Sequence, residues 1–472
     1  LGRQKFTIMR IFLFLPICLL LMLRSMAQTG DSVLTLAEAL RKTEANYPGI
    51  KAAQHLVSAS AHEWKAARQD GLPDFTAGVE AAYGTIDGMN GLPAGEPGIN
   101  AITSGPVTAT QNWNAAFGAL YLTNVDWNLF SFGLQRAHVA AAKGQYEQDR
   151  QGLAQQIFQQ QVLVAGAYLS LLAAQRVRMA MEDNLARTLQ LREVILARTL
   201  NGLNPGVDSS LADAEVSKAR LSLLDARNYE QKQASQLAIK MGVRPQLFQL
   251  DTSSTFRLPQ DLSGGVAADL ASNPNLRYLE SQVMTSSLLA NYIQKTGLPR
   301  VSLFGVGQER GSGFGPNYGT NPADYSTAFF PGIAPNRANY LVGIGVTWDI
   351  TMLGRSRSRT GAQRERSSAY TEVYQLEQNN LVNQLALADE QIRNALAKFR
   401  ETPIQLKSAS DAYRQKEALY ENGLANIVDV SQALYLLNRA EIDRGIASNA
   451  VWQAFLLRVG TIGDLHPFLQ QF

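Results

Sequence analysis

Very few side chains in this sequence stand at the spacings that chemistry needs. The four histidines, His55, His62, His138 and His466, form no HExxH pair and no other metal-ligand spacing. No glycine-rich loop follows a strand pattern to cradle a phosphate, and no Ser/His/Asp elbow is present. The glycines of Gly311-Ser312-Gly313-Phe314-Gly315 read most simply as a flexible loop. What does recur is a carboxylate. Asp208 follows Asn201-Gly202-Leu203 and Val207, and 221 residues later Asp429 follows Asn422-Gly423-Leu424 and Val428. An aspartate at a helix start accepts a hydrogen bond from a free backbone N–H, so both are candidate N-caps. Gly202 and Gly423 are placed to supply the left-handed residue that ends the helix before each turn. The chain is therefore expected to be no enzyme, with no cofactor, no metal and no nucleic-acid partner.

The elements that position these residues come in duplicate. Val125-Asp126-Trp127-Asn128 with Gly133 returns as Val346-Thr347-Trp348-Asp349 with Gly354, at the same offset of 221. Further upstream the offset is 226: Tyr47-Pro48 matches Asn273-Pro274, and Gly71-Leu72-Pro73 matches Gly297-Leu298-Pro299. Ordered markers at near-constant spacing identify two copies of one structural unit. The expected divisions are a leader over 1–27, a first repeat over 28–243, a linker over 244–265, a second repeat over 266–460 and a tail over 461–472.

The leader reads as a secretory signal. Arg10 precedes the apolar run 11–23, and Ser25-Met26-Ala27 offers a small-x-small cleavage site. The run is too short for a convincing membrane span. Arg3, Lys5, Arg10 and Arg24 leave with it, so the formal charge of +3 falls to near neutrality and carries no signal for nucleic acid. The only cysteine, Cys18, leaves too; Pro16-Ile17 before it lacks the small residue a lipidation motif needs. Elsewhere the richest apolar stretch, 162–174, carries Tyr168 and Ser170 and reads as a buried helix segment.

Each repeat reads helix, strand, loop, strand, very long helix, turn, helix. Thr35 can cap the first helix, with Glu38 at the capping-box spacing, and Tyr47-Pro48 interrupts it. Tyr340, Val342, Ile344, Val346, Trp348 and Ile350 alternate with Leu341, Gly343, Gly345, Thr347 and Asp349, a period of two with large apolar groups on one side. Phe75 to Tyr83 and Phe117 to Trp127 alternate likewise, whereas Phe304 and Val306 fall on the wrong face of the strand from Val301. Strand lengths near ten residues, aromatics near strand ends, and long Gly/Pro/Asn loops over 85–114 and 311–339 fit a lipid-facing barrel. Tyr340, Val342, Ile344, Val346 and Trp348 are its expected lipid-facing positions.

After Gly133 and Gly354 come helices of almost seventy residues, each about 100 Å at 1.5 Å per residue. Leu381, Leu385, Ala388, Ile392, Ala395 and Phe399 step as a heptad seam, and Leu153, Ile157, Gln160, Val164, Ala167, Leu171 and Ala174 repeat it with one polar lapse. Arg355, Arg357 and Arg359, just past the last strand, are placed either to meet lipid phosphates or simply to be solvated at a helix start, where the dipole disfavours them.

A signal peptide, two copies of helix–strand–strand–helical hairpin, and paired Gly-x₄-Val-Asp tips together resemble the TolC-type outer-membrane efflux proteins. Tyr420-Glu421-Asn422-Gly423-Leu424-Ala425-Asn426-Ile427-Val428-Asp429-Val430 is similar to that family's second hairpin tip, and Leu34-Thr35-Leu36-Ala37-Glu38-Ala39-Leu40 to its usual mature start. The resemblance implies a mainly α fold of duplicated long helical hairpins plus four transmembrane β-strands per chain. It implies a homotrimer closing one twelve-stranded barrel in outer-membrane lipid, with a periplasmic helical tunnel that meets an adaptor protein and an inner-membrane pump. It also implies acidic rings at the periplasmic entrance. Asp429 matches the first such position, Gln432 stands where the second would be acidic, and Asp208 is the first-copy equivalent. A soluble periplasmic coiled-coil adaptor is the alternative function, and the alternating strand 340–350 argues against it.

Overall fold

The computed structural model describes residues 33–88, 105–251, 258–259, 262 and 269–471. The leader with Cys18 and parts of the linker and of the 85–114 loop lie outside them. Within the described residues the chain forms two compact units, and each draws on both repeats. One comprises the described residues of 55–151 and 278–374, the other those of 33–54, 152–277 and 375–471.

The order of elements is α1 (Leu36–Asn46), α2 (Pro48–Gln69), β1 (Asp74–Thr85), β2 (Ala115–Phe130), α3 (Leu134–Leu200), α4 (Gly206–Met241), α5 (Pro274–Lys295), β3 (Arg300–Ser312), α6 (Phe329–Ile333), β4 (Arg337–Thr347), α7 (Met352–Glu421), α8 (Ile427–Ile462) and α9 (His466–Leu469). Thr35 caps α1 by accepting from the Glu38 N–H, and Tyr47 ends it in extended backbone before Pro48 opens α2. The two long helices are unbroken at 67 and 70 residues. Pro403 lies inside α7 and cannot donate to the Phe399 carbonyl; the Thr402 hydroxyl donates to that carbonyl instead, at 2.9 Å.

The strand-bearing unit contains one antiparallel sheet in the order β1-β2-β3-β4. Directly opposed residues share a face, so the register sorts every side chain. Phe75, Val79, Tyr83, Tyr121, Val125, Trp127, Val301, Leu303, Tyr340, Val342, Ile344 and Val346 occupy one face. Asp74, Glu80, Asn124, Asp126, Asn128, Ser302, Gln308 and Arg310 occupy the other. Phe304 does lie on this second face, opposite Gly343. A Cβ on Gly343 would come within 2.6 Å of the Phe304 ring, so the ring occupies the space that Gly343 leaves open.

β4 starts earlier and ends earlier than its alternation suggests. It spans Arg337–Thr347, so Trp348 to Ile350 fall outside it. The Asp349 carboxylate accepts from the backbone N–H groups of Thr351 and Met352 and from the Thr351 hydroxyl, which turns the chain into α7 and ends the ladder. These bonds, the Thr351 hydroxyl foremost, hold the Asp349 carboxyl below its ordinary range. Both copies lock the sheet to its helices in the same way. Trp127 donates its indole N–H to the Gly71 carbonyl and Trp348 to the Gly297 carbonyl, each at 3.1 Å.

The loop between β3 and β4 is built, not merely flexible as its glycines suggest. Gly313 donates to the Phe117 carbonyl and accepts from the Ser326 N–H, both at 2.8 Å. A Cβ on Gly311 would lie 2.6 Å from the Ile333 carbonyl, and one on Gly332 2.6 Å from the Phe117 Cβ. The glycines permit close backbone approach, and α6 therefore lies on the apolar face, where Phe329 meets Phe117 edge-on.

The helical unit has its core where the α3 segment around Tyr168 packs with α1, α4, α8 and α9; Val164, Tyr168, Leu171, Leu237, Met241, Phe455 and Phe468 are fully buried there. α3 holds a stretch apolar enough to cross a membrane by composition, but half of that stretch is buried in the protein. The heptad seams are the buried stripes, with Leu381, Ala388, Ile392 and Ala395 inside. The polar lapse, Gln160, is buried and donates to the Lys240 carbonyl at the end of α4, a group its own helix leaves free.

Candidate functional site: the hairpin tips and the exposed sheet face

The turns at the two tips have identical backbone logic. Gly202 has φ 73° and Gly423 φ 76°. Leu203 N–H bonds the Arg198 carbonyl and Gly202 N–H that of Thr199; Leu424 N–H bonds Leu419 and Gly423 N–H bonds Tyr420. Each is a Schellman turn, in which a residue other than glycine at the left-handed position would be strained.

The two aspartates are not the caps their positions suggest. Asn426 caps α8, its side chain accepting from the Asp429 N–H at 2.9 Å, and α4 starts after Pro205 without any side-chain cap. Asp208 and Asp429 both sit in the first turn, where a carboxylate gains from the helix dipole without replacing a cap. The competing signal was Asn426 itself, a cap residue of equal quality three positions earlier.

From this shared backbone the two carboxylates take different partners. Asp429 is about half exposed and lies 3.6 Å from Lys416 Nζ. Gln432, one turn on, is exposed. Asp208 instead accepts from the Asn204 amide at 2.7 Å, and the same amide nitrogen donates to the Tyr420 hydroxyl, also at 2.7 Å. Arg198 Nε donates to the Asn204 oxygen at 2.9 Å. Its Nη1 donates to the Glu421 carbonyl at 2.6 Å, placing a cation at the C-terminus of α7. The Arg198 guanidinium also lies 5.5 Å from the Tyr420 ring centre.

A lock therefore ties the first tip (Arg198, Asn204, Asp208) to the second (Tyr420, Glu421) within one chain. Burial first and the Asp208 carboxylate second push the Tyr420 hydroxyl above its ordinary pKa, so it stays protonated at neutral pH. Below the lock, Leu191, Ile195, Ala212, Tyr413, Ile427, Val430 and Leu434 form an apolar cluster with the Tyr420 ring. Sequence reasoning missed Arg198, Asn204 and Tyr420 as partners. Aligning the copies at offset 221 could have flagged them, because it sets Arg198 against Leu419, Thr199 against Tyr420 and Asn204 against Ala425.

The apolar sheet face is open over most of its extent. Tyr340, Val342, Ile344 and Val346 are between 67 and 87 % exposed, and Trp348, anchored on Gly297, is 49 % exposed. Phe75 and Val79 are comparably bare. Such an apolar sheet with unpaired edges at β1 and β4 is not a surface that water tolerates.

The family model for outer membrane efflux proteins matches residues 39–243 and 267–455, which is most of the chain and both repeats. The chain belongs to the outer membrane efflux protein family. It is an outer-membrane efflux channel protein, not an enzyme, with its helices extending into the periplasm. Solved structures of the same fold include CusC, at 14 % identity and a TM-score of 0.72 over 93 % of this chain and 96 % of that one. VceC of Vibrio cholerae matches at 16 % identity and 0.69, over 91 % and 96 %. The CmeC outer-membrane channel of Campylobacter jejuni matches at 13 % and 0.71, over 91 % and 85 %. No curated protein matches the chain by sequence. The adaptor alternative fails on the family match, which places this chain in the outer membrane.

Proposed function

We propose that three copies of this efflux channel close one barrel and form a passive duct from periplasm to exterior. The observation that carries this is the sheet. Among the described residues it has four strands, and no further strand lies beside β1 or β4 at its two edges. In hydrocarbon every unpaired backbone group costs several kcal/mol, so the edges must pair with neighbouring copies. In this reading the two repeats are 28–243 and 266–460, and Tyr340, Val342, Ile344, Val346 and Trp348 face lipid. The hairpin tips form the periplasmic entrance. There they meet an adaptor protein that joins the duct to an inner-membrane pump, and the pump selects the cargo.

At the entrance the three Asp429 carboxylates approach one another, with Gln432 behind them, while Asp208 belongs to the lock beside each hairpin. The half-exposed setting of Asp429 supports that division. The mass of the purified protein in detergent tests the assembly: a trimer is expected, and a stable monomer with folded strands refutes the model. Crosslinking from cysteines placed at Leu424 and Leu203 in intact cells tests the adaptor contact.

A further inference from the structure

At the end of the sheet where the chain enters β3 and leaves β4, a cavity of about 430 Å³ lies between the last turn of α5 and the first turns of α7. Lys295, Arg357 and Arg364 line it, together with Asn291, Gln294 and Thr360. No carboxylate is among its lining residues. Three cations facing one cavity repel one another, and the positive end of the α7 dipole adds to the same field.

The partners these groups have are poor. Lys295 Nζ reaches the Phe132 carbonyl at 3.5 Å, and Arg364 the Gln294 side-chain oxygen at 3.3 Å. Arg357 has no hydrogen bond or ion pair among the described residues. The Thr360 hydroxyl, in the buried wall, has no hydrogen-bond partner among the described residues. Ser356 is different, since its hydroxyl is used on the Ile293 and Gln294 carbonyls. Leu298 and Leu353 give the cavity an apolar flank beside the sheet.

We propose that this cavity binds a phosphate group at the periplasmic edge of the barrel. Guanidinium forks match phosphate geometry, and an ammonium adds a point charge. On the proposed lipid-facing orientation, on which the siting rests, the cavity lies level with the phosphates of the inner leaflet. A phospholipid headgroup then enters it with its acyl chains along Leu298, Leu353 and the sheet. Arg355 and Arg359 are exposed on α7 but do not line the cavity.

Calorimetric titration of the full channel in neutral detergent tests this, using dihexanoyl phosphatidylglycerol, inorganic phosphate and dihexanoylglycerol as three probes. The phosphatidylglycerol is expected to bind, and Arg357→Gln/Arg364→Gln to weaken it roughly tenfold or more, as loss of charge-assisted hydrogen bonds implies. Lys295→Gln is expected to weaken it less, and Arg355→Gln/Arg359→Gln not at all. Tighter binding of the lipid than of inorganic phosphate assigns the site to a headgroup, and equal binding assigns it to free phosphate. Equal binding of dihexanoylglycerol, unchanged affinity in the cavity variants, or an equal loss in the Arg355/Arg359 variant overturns the site. Trimer mass and bilayer conductance on the same preparations report separately on the channel reading.

Discussion

Tyr420→Phe tests the tip lock with the least collateral damage. The ring stays, so the apolar cluster around Ile427 and Val430 keeps its packing, and only the hydroxyl that accepts from Asn204 is lost. Asn204 retains its bonds to Asp208 and Arg198. The net loss is that of one ordinary buried hydrogen bond, about 1 kcal/mol. If this contact holds the entrance of the proposed trimer closed and the three copies open as a unit, the loss is taken three times, so the closed state weakens by about 3 kcal/mol, roughly a hundredfold in the open-to-closed ratio. Single-channel recording in a planar bilayer reads this as a rise in open probability at unchanged full conductance. Thr199→Val is the internal control, because Thr199 stands at the equivalent place in the first copy and its hydroxyl serves only the Ile195 carbonyl of its own helix. An open probability in Tyr420→Phe equal to that of the control, in trimers of normal stability, refutes the lock.

The proposed lipid face predicts that Val342→Arg and Ile344→Arg each destabilise the barrel by roughly 2–4 kcal/mol, while Thr347→Arg on the opposite face is milder; trimer yield in the outer membrane is the readout, and equal tolerance of the two faces contradicts the assignment. Gly332→Ala places a Cβ 2.6 Å from the Phe117 Cβ and 2.7 Å from its carbonyl oxygen, so α6 must lift off the sheet. Limited proteolysis of the 313–336 loop should then accelerate, and an unchanged cleavage rate counts against the packed loop. Asp429→Asn leaves the Asn426 cap in place and is expected to cost only a few tenths of a kcal/mol of helix stability while abolishing block by multivalent cations; persistent block removes Asp429 from the entrance.

What was legible in the sequence was what short-range chemistry decides. Helix breaks at Tyr47-Pro48, turns at Gly202 and Gly423, the heptad stripe of α7 and the alternation of β4 each follow from residues within a few positions of one another. Where two local signals competed, the reading slipped. Asn426 and Asp429 are both good caps, and the sequence pattern favours the duplicated one, although Asn426 holds the end of the helix. The ladder of β4 stops at Thr347 because Asp349 captures the next two N–H groups, an interaction that alternation of apolar residues does not register. Phe304 looked misplaced until Gly343 stood opposite it. The lock was out of reach for a different reason: Asn204 and Tyr420 are 216 residues apart, and nothing local in either segment names the other.

The duplication explains both the regularity of the tips and the places where they diverge. Backbone features recur because both copies must build the same hairpin: the same glycine turn, the same indole-to-carbonyl anchor at Trp127 and Trp348, and the same first-turn aspartate. If the side chains had also stayed alike, every hairpin would offer the same surface, and no contact between them could be selective. The copies instead diverge around the turn. Arg198 and Asn204 stand where the second copy has Leu419 and Ala425, and Tyr420 stands where the first has Thr199. Donors and a carboxylate are thus gathered on one hairpin and a buried phenol on the other. Asp208 is consumed by that contact, while Asp429 keeps only a 3.6 Å approach to Lys416. One duplicated carboxylate thus stands in two settings: Asp208 orients the Asn204 amide that reaches Tyr420 on the other hairpin, and Asp429 stays half exposed, as the proposed entrance requires.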